Sequence, residues 1–269
     1  MRLFLRLVVL VLGLFAIATA ALAGSALAAS GDVTGYYVFK DMRAGAVTEF
    51  RDRNGKLVSR QASVGHRGDG HSACGDPRFK FAGGRWRGGF PSYLVNVRSS
   101  EAAGLDESAA LEDLLSGHAA WTTPLATDCA VPRSSAYQQH FGGPTEQGAS
   151  TPLLVLDGVN VVEFRSLSGT ICDGAVACVV IYSEKGRFLE ADMALEADAG
   201  RFGPAMRWST GDRTDQDEFA VIDVATHEWG HFAGLDHVDK SPELTMFPFI
   251  HDGMQTLGLG DVRGIRTRY

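Results

Sequence analysis

Three histidines within the string HEWGHFAGLDH, at His227, His231 and His237, constrain this chain more than any other feature of its sequence. His227 and His231 are four residues apart. On an α-helix that spacing places both imidazoles on one face, one turn apart. Neutral imidazole is a good zinc ligand. Glu228 follows the first histidine, where a carboxylate can contact water at the metal without taking a ligand position. Gly234 lets the chain turn sharply where a side chain would favour a continued helix, which brings His237 back to the same point. Asp223 is placed to cap the start of the helix. Three nitrogens then hold the metal and one position stays open, the catalytic pattern of zinc coordination rather than the structural one. A shuffled chain of this composition would show all five fixed positions well under about once in a thousand trials. The bland alternative is a helix of packed histidines.

The N-terminus reads differently from the rest. Arg2 and Arg6 precede an apolar run, and Ala21-Leu22-Ala23 and Ala26-Leu27-Ala28 follow as A-x-A-like sites. That is the layout of a secretory signal peptide over residues 1–28, cleaved after 23 or 28. An uncleaved anchor is the rival, but the apolar run is short for a stable span. Residues 29–73 then form an N-terminal extension and 74–269 the main domain. The expected location is secreted or periplasmic, without stable membrane association after cleavage. The apolar fraction of 45% suffices for a sizeable core. A formal net charge of −7 argues against nucleic-acid partners. A monomer is expected.

Cys74, Cys129, Cys172 and Cys178 are an even set in an exported chain, which favours disulfides. Three connectivities are possible, and Cys172–Cys178 with Cys74–Cys129 is the preferred one. No CxxC spacing supports a thiolate zinc site.

The remaining pattern is mixed. TGYYVFKD and AVTEFRDRNGKLVSR read as short strands around an Asn54-Gly55 turn, followed by a glycine-rich loop with His66 and His71. PSYLVNV reads as a strand. LDESAALEDLLSGHAAW reads as a helix capped by Asp106, with His118 on its packed face. TPLLVLD, VVEFRSL, ACVVIYSE and GRFLEADMALEAD look strand-like, and AMRWST a short edge strand. Asp212, Asp215, Asp217 and Glu218 lie in an acidic loop that could offer oxygen ligands to calcium, although a solvated loop explains them more simply. The pattern of several strands with one early and one late helix suggests an α+β fold or a mixed sandwich.

HEWGHFAGLDH followed by LTMFP resembles the metzincins, and among them the matrixins of bacterial type. The resemblance covers about residues 74–269, strongly after 223 and loosely before. It implies a catalytic domain with a twisted mixed sheet, an active-site helix, a Met-turn at Met246 and a C-terminal helix. It implies one catalytic zinc on His227, His231 and His237, with Glu228 as general base in the hydrolysis of protein or peptide substrates. Asp261 matches the acid that hydrogen-bonds toward the Met-turn. Gly260 stands where many matrixins carry a second aspartate, Thr214 where a histidine is usual, and Pro248 where astacins have tyrosine. ACGDPRF shares Cys-Gly with the matrixin propeptide motif, but Ser72-Ala73 replace its Pro-Arg, so Cys74 is read as a disulfide cysteine and not as a latency thiolate. The matrixin pattern also places Phe249, Ile250, Met254 and Leu257 in the wall of the pocket just after the scissile bond. AMRWST is the expected cleft edge for an extended substrate. The alternatives from other classes are a non-catalytic zinc-binding protein with a blocked cleft, and a zinc hydrolase of a non-peptide substrate.

Overall fold

The structure, a computed structural model, describes residues 35–43, 45–63, 72–87, 90–212 and 215–269. The proposed signal segment and the two loop histidines, His66 and His71, lie outside the described residues. In chain order the strands and α-helices are β1 (Gly35–Met42), β2 (Gly45–Asp52), β3 (Leu57–Ser63), β4 (Lys80–Phe81), β5 (Ser92–Asn96), α1 (Glu107–Ala120) and β6 (His140–Pro144). There follow β7 (Asn160–Arg165), β8 (Ala177–Glu184), β9 (Arg187–Glu196), β10 (Arg207–Ser209), β11 (Glu218–Ala220), α2 (Val221–Phe232), β12 (Leu235–Asp236) and α3 (Leu259–Arg268). The fold is α+β: an eight-stranded sheet in the order β3-β2-β1-β8-β9-β7-β5-β6, with helices packed on it.

The sheet is mixed. β5, β6, β7 and β9 run parallel to one another, while β8 is antiparallel to both β9 and β1. The three strands of the extension therefore continue the sheet beyond β8. β8 reads as an unbroken apolar run because both its faces are covered. Val179 and Ile181 face the helices together with Phe39 and Met193. Cys178, Val180 and Tyr182 face the other way, against Tyr36, Val38 and Leu167. β9 carries acids on that second face, and each holds irregular backbone. Asp192 accepts from the amides of Ser150, Thr151 and Val161, and Glu196 from that of Leu167. Buried carboxylates of this kind persist only when such donors reach them.

α1 begins where Asp106 accepts from the amides of Ser108 and Ala109. It lies against α2 so closely that a Cβ on Gly117 would come within 2.8 Å of the Thr226 nitrogen. Two indoles fasten the pair: Trp121 Nε1 donates to Thr226 O at 2.7 Å, and Trp229 Nε1 to Leu114 O at 3.0 Å. His118 packs in this layer, with Nδ1 2.7 Å from the Tyr93 hydroxyl.

One strand expectation fails. TPLLVLD contains a short 3-10 turn at Thr151–Leu153, and Leu154 sits at φ 63, a left-handed backbone that no strand continues through. The AMRWST segment does supply a short edge strand, β10, which pairs only with β11 in a separate two-stranded sheet. The main sheet meets α2 along β8, and β1 pairs with the edge of β8 that β9 leaves open. β6 had no alternating apolar pattern to betray it, since Gly142, Gly143 and Pro144 make up most of HFGGP.

The disulfides are Cys74–Cys129 and Cys172–Cys178, and no described cysteine is free. Cys74–Cys129 closes a loop of sequence separation 55. Replacing both cysteines by serine should lower unfolding free energy by about 2–4 kcal/mol in a denaturant titration. Non-reducing peptide mapping should recover the cross-linked fragment from the unaltered chain.

Candidate metal centre

α2 carries His227 and His231 one turn apart, both fully buried. The helix stops at Ala233, and Gly234 takes φ 93, where its amide donates to His231 O at 2.7 Å. A Cβ there would lie 2.9 Å from Phe188 and 3.1 Å from Arg268, so both backbone conformation and space require glycine. The turn leads through β12 to His237. The Nε2 atoms of His227 and His231 are 3.1 Å apart, and those of His231 and His237 3.0 Å.

The opposite ring nitrogens fix the tautomers. His227 Nδ1 lies 2.6 Å from Thr245 O and His231 Nδ1 2.9 Å from Leu235 O. A carbonyl only accepts, so each Nδ1 carries the proton and each Nε2 a lone pair. His237 Nδ1 reaches Thr48 Oγ1 at 3.3 Å, and that hydroxyl donates onward to Asp236 Oδ1 at 2.7 Å. The lone pairs thus converge on one point.

A fourth group stands there. Asp41, at the end of β1, places Oδ1 3.1 Å from His227 Nε2 and 2.7 Å from His237 Nε2, and Oδ2 3.3 Å from His231 Nε2. Asp41, His227, His231 and His237 form the one group among the described residues able to hold a metal, with their donor atoms all within 4.8 Å of one another. Acceptors facing acceptors at such distances call for a shared cation. The nitrogen separations suit zinc, for which Zn–N bonds near 2.0–2.1 Å imply tetrahedral edges of about 3.3 Å. The donor set therefore fits the ion.

Electrostatics follow from burial and from Asp41. Burial alone would raise the Asp41 carboxyl, but His237 and His227 hold it well below the carboxylate range. Burial, and then the Asp41 carboxylate, drive Glu228 well above its ordinary value. Burial works to lower His237, yet Asp41 and Asp236 carry it up to about 9; burial and then His237 push His231 down to about 4. Neither oxygen of Glu228 has a hydrogen-bond partner in good geometry among the described residues. Phe39, also on β1, stacks on the His231 ring at 4.3 Å.

Beneath the cluster, Asp261 of α3 accepts from the amides of Thr245 and Gly258 at 2.9 Å and of Met246 at 3.3 Å. Thr245 in turn receives His227, so α3 orients a ring it never touches. Met246 is buried against α2, and a Cβ on Gly260 would fall 1.9 Å from Arg78 O, leaving no room for a second acid. Asp223 is not the helix cap. β11 runs directly into α2, Ala220 occupies the cap position without a side-chain bond, and Asp223 lies inside the first turn. There burial raises its carboxyl to about 6, opposed in part by the amides of Met254 and Gln255, so it braces the later loop. The acidic loop faces cations of the chain itself: Arg207 pairs with Glu218 at 2.7 Å and Asp215 at 3.1 Å, which gives no support to calcium.

Asp41 was invisible to sequence reasoning because it lies 186 residues before His227. The available signal was an acid on the same face as Tyr37 and Phe39, in a strand that is apolar up to Phe39.

The family model described as Matrixin matches residues 173–269. Comparison with the curated proteins found no match. The matched segment begins just before β8 and contains all three histidines, Glu228, Met246 and Asp261. A matrixin match implies a zinc metalloprotease.

Packing under α2 is testable at Gly230. A Cβ there would stand 2.2 Å from Met246 Sδ and 2.8 Å from Trp121 Cζ2. Gly230→Ala should cost about 1–3 kcal/mol of stability in urea titration.

Proposed function

The chain carries a matrixin/metzincin-like domain, and from that premise we propose that it is a zinc-dependent endopeptidase acting on extended protein segments. The observation that carries this reading is the convergence of the three Nε2 atoms beside a buried Glu228 whose oxygens have no hydrogen-bond partner in good geometry among the described residues.

His227, His231 and His237 hold the zinc. Lewis-acid activation of water and of the scissile carbonyl is the chemistry that zinc supplies when bound. Glu228 takes a proton from the attacking water and returns it to the departing amine. Met246 and Asp261 keep the ligands in place from below. Two disulfides, and the lack of any helix among the described residues long and apolar enough to cross a membrane, are compatible with a secreted or periplasmic protein.

The pocket wall needs a narrower reading than its sequence allows. Met254 and Leu257 are fully buried in the body of the protein, so they support the wall from behind. Phe249 and Ile250 are half-buried and remain free to meet a substrate side chain, while Asp252 is exposed. An apolar wall gains about 2 kcal/mol from a large apolar side chain and offers no partner to a buried charge.

A second reading has its own observation. Asp41 supplies a fourth protein donor, and a site closed by four protein ligands is the structural type of zinc site. On that reading the chain binds zinc without turnover.

Three outcomes test the proposal. Elemental analysis should find one zinc per chain, lost in His231→Ala and kept in Glu228→Ala. Glu228→Ala should lower turnover at least about a hundredfold, measured on a peptide library with the chain cut between Ser63 and Ser72. Cut sites read by mass spectrometry should favour Leu, Ile, Met or Phe immediately after the scissile bond and discriminate against Asp and Glu. A zinc-bearing chain that cleaves nothing after that cut would leave the binding-protein reading in possession.

A further inference from the structure

We infer that residues 35–63 are a built-in inhibitor of the metal centre: β1 occupies the groove of an extended substrate along β8, and Asp41 takes the metal's fourth position. This rests on the zinc-peptidase reading and adds how the site is kept silent.

The first support is the placement of β1. One edge of β8 is taken by β9, and the other lies against β1 from Gly35–Ser183 to Asp41–Ala177. A sheet edge offers unpaired N–H and C=O groups, the usual anchor for an extended peptide. β1 demonstrates what such a peptide would do here. A strand antiparallel to β8 brings the side chain opposite Ala177 to the three histidines. Substrate backbone could reach the metal along the same edge only after β1 had left it.

The second support is Asp41 itself. Its two oxygens contact all three Nε2 atoms at 2.7–3.3 Å, and it is 2% exposed. A carboxylate buried at this depth, with no lysine or arginine in contact among the described residues, is costly unless a cation shares the site. Phe39 on His231, and Thr48 of β2 on His237 Nδ1, place further groups from the segment around the same cluster.

The third support is the division between what is stapled and what is not. Cys74–Cys129 ties the chain to the body from residue 74 onward, whereas residues 35–63 have only the main chain as a covalent link. A cleft of about 250 Å³ opens along the seam between Thr48, Phe50 and Gln61 on one side and Phe81, Gly83 and Asp236 on the other. β3, the outermost strand, is exposed along six consecutive residues. Opposing release, Tyr36, Val38 and Phe39 are at most 2% exposed, so the segment stays in place until the link is cut. Activation consumes one water: its hydroxyl goes to the carbonyl carbon of a bond between Ser63 and Ser72, and its proton to the new amine.

The test uses the full chain loaded with cobalt(II), whose visible absorption reports the ligand set, and acetohydroxamate as a probe of the fourth position. Asp41→Ala should change the cobalt spectrum and tighten hydroxamate binding by about tenfold or more, because an internal competitor no longer masks the position. Asp41→Asn, nearly identical in shape, should show the same direction with thermal unfolding close to the unaltered chain, which separates ligand loss from misfolding. Identical spectra and hydroxamate affinities in all three cobalt-loaded chains would overturn the inference and leave the peptidase reading standing. Failure of every chain to bind cobalt or zinc would overturn both.

Discussion

Three imidazole lone pairs can meet at one point only if the protons on the far side of each ring are taken up elsewhere. Much of the molecule is arranged to meet that requirement. The carbonyl of Leu235 receives His231 because the chain turns at Gly234; the carbonyl of Thr245 receives His227 because Asp261 holds the turn from α3. Each acceptor comes from a segment that could not be there without its own glycine or buried acid. His227 and His231 are therefore fixed in tautomer by backbone, and that backbone is fixed by contacts some distance from the cluster.

The local part of this design was legible in the sequence. The spacing of His227, His231, Gly234 and His237 encodes a helix, a stop and a return within one short stretch, so its geometry follows from helical period and glycine freedom. The disulfide pairing was legible because four cysteines leave few choices. The strands of the extension showed through their alternation and the turn at Asn54-Gly55, where Gly55 takes φ 82. Asp223 was misjudged because helix capping depends on where the preceding strand ends, and β11 runs into α2 without a break. TPLLVLD was misjudged because its apolar residues pack or face solvent around a turn. Asp41 escaped because strand pairing between distant segments has no spacing rule.

The second face of the sheet works by a different chemistry from the first. Toward the helices it is apolar and aromatic, with Trp229, Tyr93 and Phe232 in mutual contact. On the other face β9 carries Glu190, Asp192 and Glu196, each accepting from backbone amides of the long connections. Irregular segments are thus held as firmly as strands, which lets the sheet keep its shape beneath the metal centre although the chain between β6 and β7 has no strand of its own.

The pairing of Met42 with Gly45 closes β1 and β2 through a two-residue link. Because successive side chains of a strand point to opposite faces, the register of β1 on β8 acts as a vernier. A slip of one residue along β8 would turn the carboxylate away and bring up Lys40, whose ammonium has no lone pair to offer a metal. A slip of two would restore the face but withdraw the acid by about 6–7 Å. The chemical identity of whatever meets the three histidines is therefore set by the register of β1 on β8, and any strand that pairs along that edge is read in steps of two residues.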